Sequence, residues 1–125
     1  GTKAGSIPWK VGLQNPERSE EAIAVMDIED MAVATSGNYE RYFNEAAKVS
    51  HISDPRTGHP SQSLMSATVI AGSAMDADAF ATALFVLGEE DGMEVIENLD
   101  GVECLIITAD KRIIRSSGFS QYESQ

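Results

Sequence analysis

Three groups able to do chemistry stand within the run HISDPRTG, residues 51–58: the imidazole of His51, the carboxylate of Asp54 and the guanidinium of Arg56. Asp54-Pro55 and Gly58-His59-Pro60 force extended or turn geometry around them. A neutral imidazole near pH 7 can take a proton from an incoming hydroxyl, and a nearby carboxylate can orient it. Further along, Asp78-Ala79-Phe80-Ala81-Thr82 opens a helical pattern. Asp78 and Thr82 are four residues apart, so a carboxylate and a hydroxyl project from one helical face. Two oxygens make a sparse cage, yet magnesium commonly keeps waters and takes phosphate oxygens as its other ligands. A proton acceptor beside a hard-metal site would be phosphate chemistry.

Blander readings compete at each position. Asp76 or Asp78 can cap a helix start, with Thr82 packed inward. His51 can be a surface or packing histidine, with Asp54-Pro55 a simple turn. Thr35-Ser36-Gly37, after an apolar run, offers hydroxyls and backbone amides to an anion, but a turn is the ordinary use of such residues. No GxxxxGK[ST] or GxGxxG pattern is present. Trp9, Tyr39 and Tyr42 can stack on a flat ring or fill a core. Cys104, alone within an apolar run, is a poor nucleophile.

The elements that must position these groups follow from periodicity. Residues 8–14 alternate apolar and polar, as does a half-buried strand. Residues 22–28 read as a second strand and residues 31–35 as a third, broken by Ser36-Gly37-Asn38. Residues 39–43 suit helix or strand. Residues 64–71 form an apolar run that reads as a buried strand. The helix that begins near Asp76 is alanine-rich, carries Leu84, Phe85 and Leu87 on one side and meets Gly88, a natural terminator. Residues 90–99 suit a second helix despite Gly92. Residues 102–108 and 112–115 form a hairpin. Residues 116–125 are polar and read as a fraying end, apart from Phe119. Strands, a helical pair over about 76–99 and a closing hairpin predict an α+β fold: a mostly antiparallel sheet with the helices on one face.

Composition narrows the function classes. The 125 residues carry a formal net charge of −11, which opposes nucleic acid and anionic membranes as partners. An anionic substrate in such a field needs a cation or a local basic cluster. One cysteine excludes an intrachain disulfide and paired-cysteine zinc sites. No apolar run reaches the roughly 20 residues that span a bilayer, and no signal-peptide pattern opens the chain.

With these residues in hand, the chain resembles the ApbE family of flavin transferases, once called thiamine biosynthesis lipoproteins. The resemblance rests on Pro8-Trp9-Lys10-Val11-Gly12, Ala32-Val33-Ala34-Thr35-Ser36-Gly37-Asn38-Tyr39, His51 to Gly58, Asp78 to Ala83, and the closing Gly118-Phe119, in the family's order. It implies magnesium-dependent transfer of FMN from FAD to a threonine hydroxyl of an acceptor flavoprotein, with release of AMP. It further implies that Asp78 and Thr82 are metal ligands and that His51 is the catalytic histidine. Thr35, Ser36, Asp54 and Thr57 would shape the flavin-nucleotide pocket.

The family's proteins are longer, with an N-terminal half ahead of everything present here. The resemblance therefore casts residues 1–125 as one domain, the C-terminal portion of such an enzyme, with the N-terminal half as a required partner and self-association through the surface that half would cover. Two alternatives remain open: an FAD pyrophosphatase giving FMN and AMP, and a non-catalytic flavin-binding module. Export to the periplasm, often as a lipoprotein, is a family expectation that the residues themselves neither support nor oppose.

Overall fold

The computed structural model describes residues 1–15, 21–37 and 64–124. Strands β1 (Trp9–Gln14) and β2 (Ala22–Ile28) pair antiparallel as a two-stranded sheet. Strands β3 (Ala32–Gly37), β4 (Leu64–Ala71), β5 (Glu103–Thr108) and β6 (Ile113–Arg115) form a four-stranded antiparallel sheet in the order β3-β4-β5-β6. Between β4 and β5 run helices α1 (Ala74–Leu87) and α2 (Glu89–Glu97). The expected α+β fold is present, with one refinement: the strands divide into two sheets, and the smaller covers the face opposite the helices.

β4 explains this layering. All eight of its residues are buried, because apolar layers lie on both sides of it. Ala67, Val69 and Ala71, with Cys104 and Ile106 of β5, face Ala77, Ala81, Leu84 and Phe85 of α1 and Ile96 of α2. Ile70, Leu105 and Ile107 face the other way, onto Leu13, Ala24, Met26 and Ile28 of the two-stranded sheet. A strand covered on both faces loses polar alternation and reads as a continuous apolar run.

The helix boundaries come from local chemistry. Ser73, not Asp76 or Asp78, caps α1, its hydroxyl accepting from the Asp76 amide at 3.1 Å. Asp76 then sits in the first turn, where the helix dipole favours a carboxylate. Gly88 ends α1 at φ +88°, its amide donating to the Leu84 carbonyl at 3.0 Å. Its own carbonyl accepts from Gly92 at 2.9 Å and starts α2, so one glycine joins both helices.

Two sequence expectations are corrected. Ser36 and Gly37 do not break β3. They stay in the ladder, opposite Ala67 and Ser66, while Asn38 lies outside the described residues. Gly37 permits a close approach: a Cβ there would meet the Met65 carbonyl and the Ser66 Cβ, each at 3.0 Å. Nor do residues 116–124 fray. Phe119 starts a short 3-10 helix (Phe119–Tyr122) and is fully buried in the core between the two sheets. The Ser124 amide then donates to the Val25 carbonyl at 2.7 Å, and Lys10 Nζ donates to Ser124 Oγ at 2.6 Å.

Candidate active site

Pleating separates the two hydroxyl residues at the end of β3. Ser36 shares the helix-facing side with Ala32 and Ala34, and it is 9% exposed. Thr35 projects from the opposite side, where its Oγ1 lies 2.9 Å from Oγ1 of the fully buried Thr68 on β4. The resemblance assigns both neighbours to one nucleotide pocket; the strand sends them to different faces of the sheet. Thr68 is the polar residue that inspection of the sequence missed. The Thr35–Thr68 pairing depends on strand register, which no local pattern reveals.

Ser36 instead meets α1. Its Oγ lies 3.2 Å from Oγ1 of Thr82. Thr82 and, one turn earlier, Asp78 are exposed on the helix. Ser36, Thr82 and Asp78 therefore form a row of two hydroxyls and a carboxylate from the end of β3 along α1. The donor set is all oxygen, as a hard divalent cation prefers. Asp78 and Thr82 fit such a cation in chemistry and spacing. Among the described residues, no group of three or more His, Cys, Asp or Glu side chains gathers as a metal cluster.

The row lies near one end of the sheet. Gly37, next to Ser36, pairs with Ser66, and Leu64 begins β4 two residues before. The end of β3 and the start of β4 therefore lie side by side where Ser36 meets Thr82. His51, Asp54 and Thr57 belong to the intervening residues 38–63 and lie outside the described residues, as does the aromatic run at 39–43.

Other candidates separate from this row. Cys104 is fully buried, and burial pushes its thiol up to about 12, so it is no nucleophile near neutral pH. Trp9 is half-exposed, with the Lys3 ammonium 5.5 Å from its ring centroid. Glu89 and Asp110 both hold Arg112, so this part of the acidic surface ties α2 to the β5–β6 turn. No helix among the described residues is long and apolar enough to cross a membrane.

A core sheet covered on one face by a helical pair has close counterparts among solved structures. The ApbE protein of Thermotoga maritima superposes with a TM-score of 0.86 at 38% identity, over all of this chain and 41% of that one. The flavin transferase ApbE from Vibrio cholerae superposes at 0.79 and 33% identity, over 98% of this chain and 40% of its own. In sequence, the FAD:protein FMN transferase of Escherichia coli K12 is 37% identical over 127 aligned residues, covering 99% of this chain and 36% of that protein. The corresponding Treponema pallidum protein is 39% identical over 92% of this chain. The profile of the ApbE family matches residues 1–106. The chain belongs to the ApbE family. It represents the C-terminal portion of such a protein and spans about a third of the length of the curated relatives it matches.

Proposed function

We propose that this chain is the C-terminal part of a magnesium-dependent enzyme that moves FMN from FAD to a threonine hydroxyl of an acceptor protein. The observation that carries this reading is the exposed Asp78–Thr82 pair, set on α1 with Thr82 against Ser36 near the end of β3. Relatives over nearly the whole chain are named FAD:protein FMN transferase, which supplies the donor and the group transferred.

In this reading the acceptor oxygen forms a bond to the FMN phosphorus of the FAD pyrophosphate, the bridging P–O bond breaks, and AMP leaves. His51 takes the proton from the acceptor hydroxyl. Asp78 and Thr82 would hold the cation, which when bound neutralises pyrophosphate charge that the acidic chain would otherwise repel. Asp54 and Thr57 line the nucleotide pocket from the HISDPRTG segment, and Thr35 lines it from its own face of the sheet. The residues N-terminal to this region in the longer relatives would supply the remainder of the FAD site. Self-association through the surface they cover, and export to the periplasmic side, complete the proposal.

The test is covalent flavin on an acceptor peptide, read by in-gel fluorescence, using the full-length protein with FAD and magnesium. His51→Ala, Asp78→Ala and Thr82→Val should each lower labelling by about tenfold or more, and chelation of the metal should abolish it. Unchanged labelling in all three variants would refute the assigned roles. Rapid release of FMN and AMP without acceptor, and no labelling with it, would make the enzyme an FAD pyrophosphatase instead.

A further inference from the structure

We infer that Ser36 is a positioning residue for the Thr82 hydroxyl and not a contact to the nucleotide. The inference rests on the metal-ligand reading of Asp78 and Thr82 given above. A hydroxyl that ligates a cation does so through an oxygen lone pair, so its proton must point elsewhere and find an acceptor. On a helix, the competing acceptor for a threonine hydroxyl is the backbone carbonyl four residues back, here that of Asp78. A Thr82 hydroxyl turned to that carbonyl would lie along its own helix.

Ser36 Oγ, 3.2 Å from Thr82 Oγ1, offers the proton a different partner on the strand side. With the Thr82 proton directed to Ser36, the remaining lone pairs of Oγ1 stay available to an ion held with the Asp78 carboxylate.

Ser36 is well placed to set this geometry. It is nine-tenths buried, so its hydroxyl has little access to competing water. Its backbone is fixed in the ladder opposite Ala67. The next residue, Gly37, packs so closely on β4 that a Cβ would stand 3.0 Å from the Met65 carbonyl and from the Ser66 Cβ. The end of β3 therefore has little room to slide, and the position of Ser36 Oγ is transmitted to Thr82. Thr35, on the other face, cannot substitute for it. Outer groups that orient a metal ligand typically matter by tenfold or more in metal affinity.

The experiment measures manganese binding to the full-length protein by electron paramagnetic resonance of the free ion, with FAD saturating, and FAD binding separately without metal. Ser36→Val and Ser36→Thr share one shape and differ in the hydroxyl. Ser36→Val should raise the manganese Kd about tenfold, while Ser36→Thr stays within about twofold of the parent. Ser36→Val should add no further loss to Thr82→Val. Metal-free FAD affinity should be unchanged throughout. Ser36→Ala removes the oxygen without adding bulk and should match Ser36→Val, which covers the case in which the branched pair crowds β4.

Equal manganese affinity in the Val, Ala and Thr variants would overturn the inference. So would a loss of metal-free FAD binding in Ser36→Ala, which would mark a nucleotide contact. If Asp78→Ala and Thr82→Val also leave manganese binding intact, the metal-ligand reading fails and the positioning role fails with it. If those two weaken binding and Ser36→Ala does not, only the positioning role fails.

Discussion

Gly92 of α2 sits against Leu84 of α1 so closely that a Cβ on Gly92 would fall 2.2 Å from Leu84 Cδ1. Leu84 is 1% exposed, within the core that the helices share with β4 and β5. The glycine that looks like a defect in the helical pattern is what lets the two helices pack. We predict that Gly92→Ala destabilises the protein. Overpacking costs about 1–3 kcal/mol and outweighs the roughly 1 kcal/mol that alanine adds to a helix. A raised midpoint in thermal or urea unfolding would contradict this. Combined with Leu84→Ala, the total loss should be smaller than the sum of the two single losses.

The C-terminal end offers a contrast between apolar and ionic attachment. Phe119 is fully buried between the sheets, whereas the Lys10–Asp27 pair that lies beside Ser124 is exposed. Phe119→Ala should cost about 3–5 kcal/mol by urea unfolding. Lys10→Ala should cost less than about 1 kcal/mol, and less still in high salt. Comparable losses for the two would refute the ranking.

A second anchor lies just before Phe119. The Glu103 carboxylate accepts from the Ser116 hydroxyl and, at 3.1 Å, from the Gly118 amide, while Ser116 Oγ accepts from the Cys104 amide at 2.9 Å. Glu103→Ala leaves two donors without their acceptor and should cost about 1–3 kcal/mol. Gly118→Ala should disturb the same group, since a Cβ there would lie 2.2 Å from Glu103 Oε1. A stability equal to the parent for Glu103→Ala would remove the network from the account.

Cys104 yields a pH prediction. Burial is the main cause that lifts its thiol from an ordinary 9.0 to about 12 in the folded protein. The unfolded chain therefore sheds this proton first as pH rises. The cysteine's share of stability is complete below about pH 9 and is lost progressively as pH climbs toward 12. Cys104→Ala should flatten that part of the alkaline decline in unfolding free energy. In the native protein the thiol should resist aromatic disulfide reagents at pH 8 and react fully once unfolded. Fast native labelling would contradict the burial.

The helical spacing of Asp78 and Thr82, the buried run at 64–71, the Gly88 stop and the closing hairpin were all readable locally, because each depends on neighbours within a few residues. What escaped depends on distant partners. Ser36-Gly37 resembles a break until β4 is alongside, where the missing Cβ of Gly37 permits close pairing. Residues 116–124 resemble a loose end until Val25 and Lys10, about a hundred positions earlier, are brought near. Ser73 outcompetes Asp76 as the α1 cap because its hydroxyl reaches an amide three residues on. The opposite facing of Thr35 and Ser36 follows from simple alternation once the strand is known to include both.

β4 contributes side chains to both cores, so neither face of the sheet can be exposed while the other stays dry. Loss of the helical layer uncovers Val69 and Ala71; loss of the small sheet uncovers Ile70 and Met65. Coupling through a shared strand makes the two layers one cooperative unit. The amides at the centre of β4 should exchange with deuterium only through global opening, setting the slowest protection in the molecule. The oxygen row of Ser36, Thr82 and Asp78 then hangs from one frame, although its members come from two elements, β3 and α1.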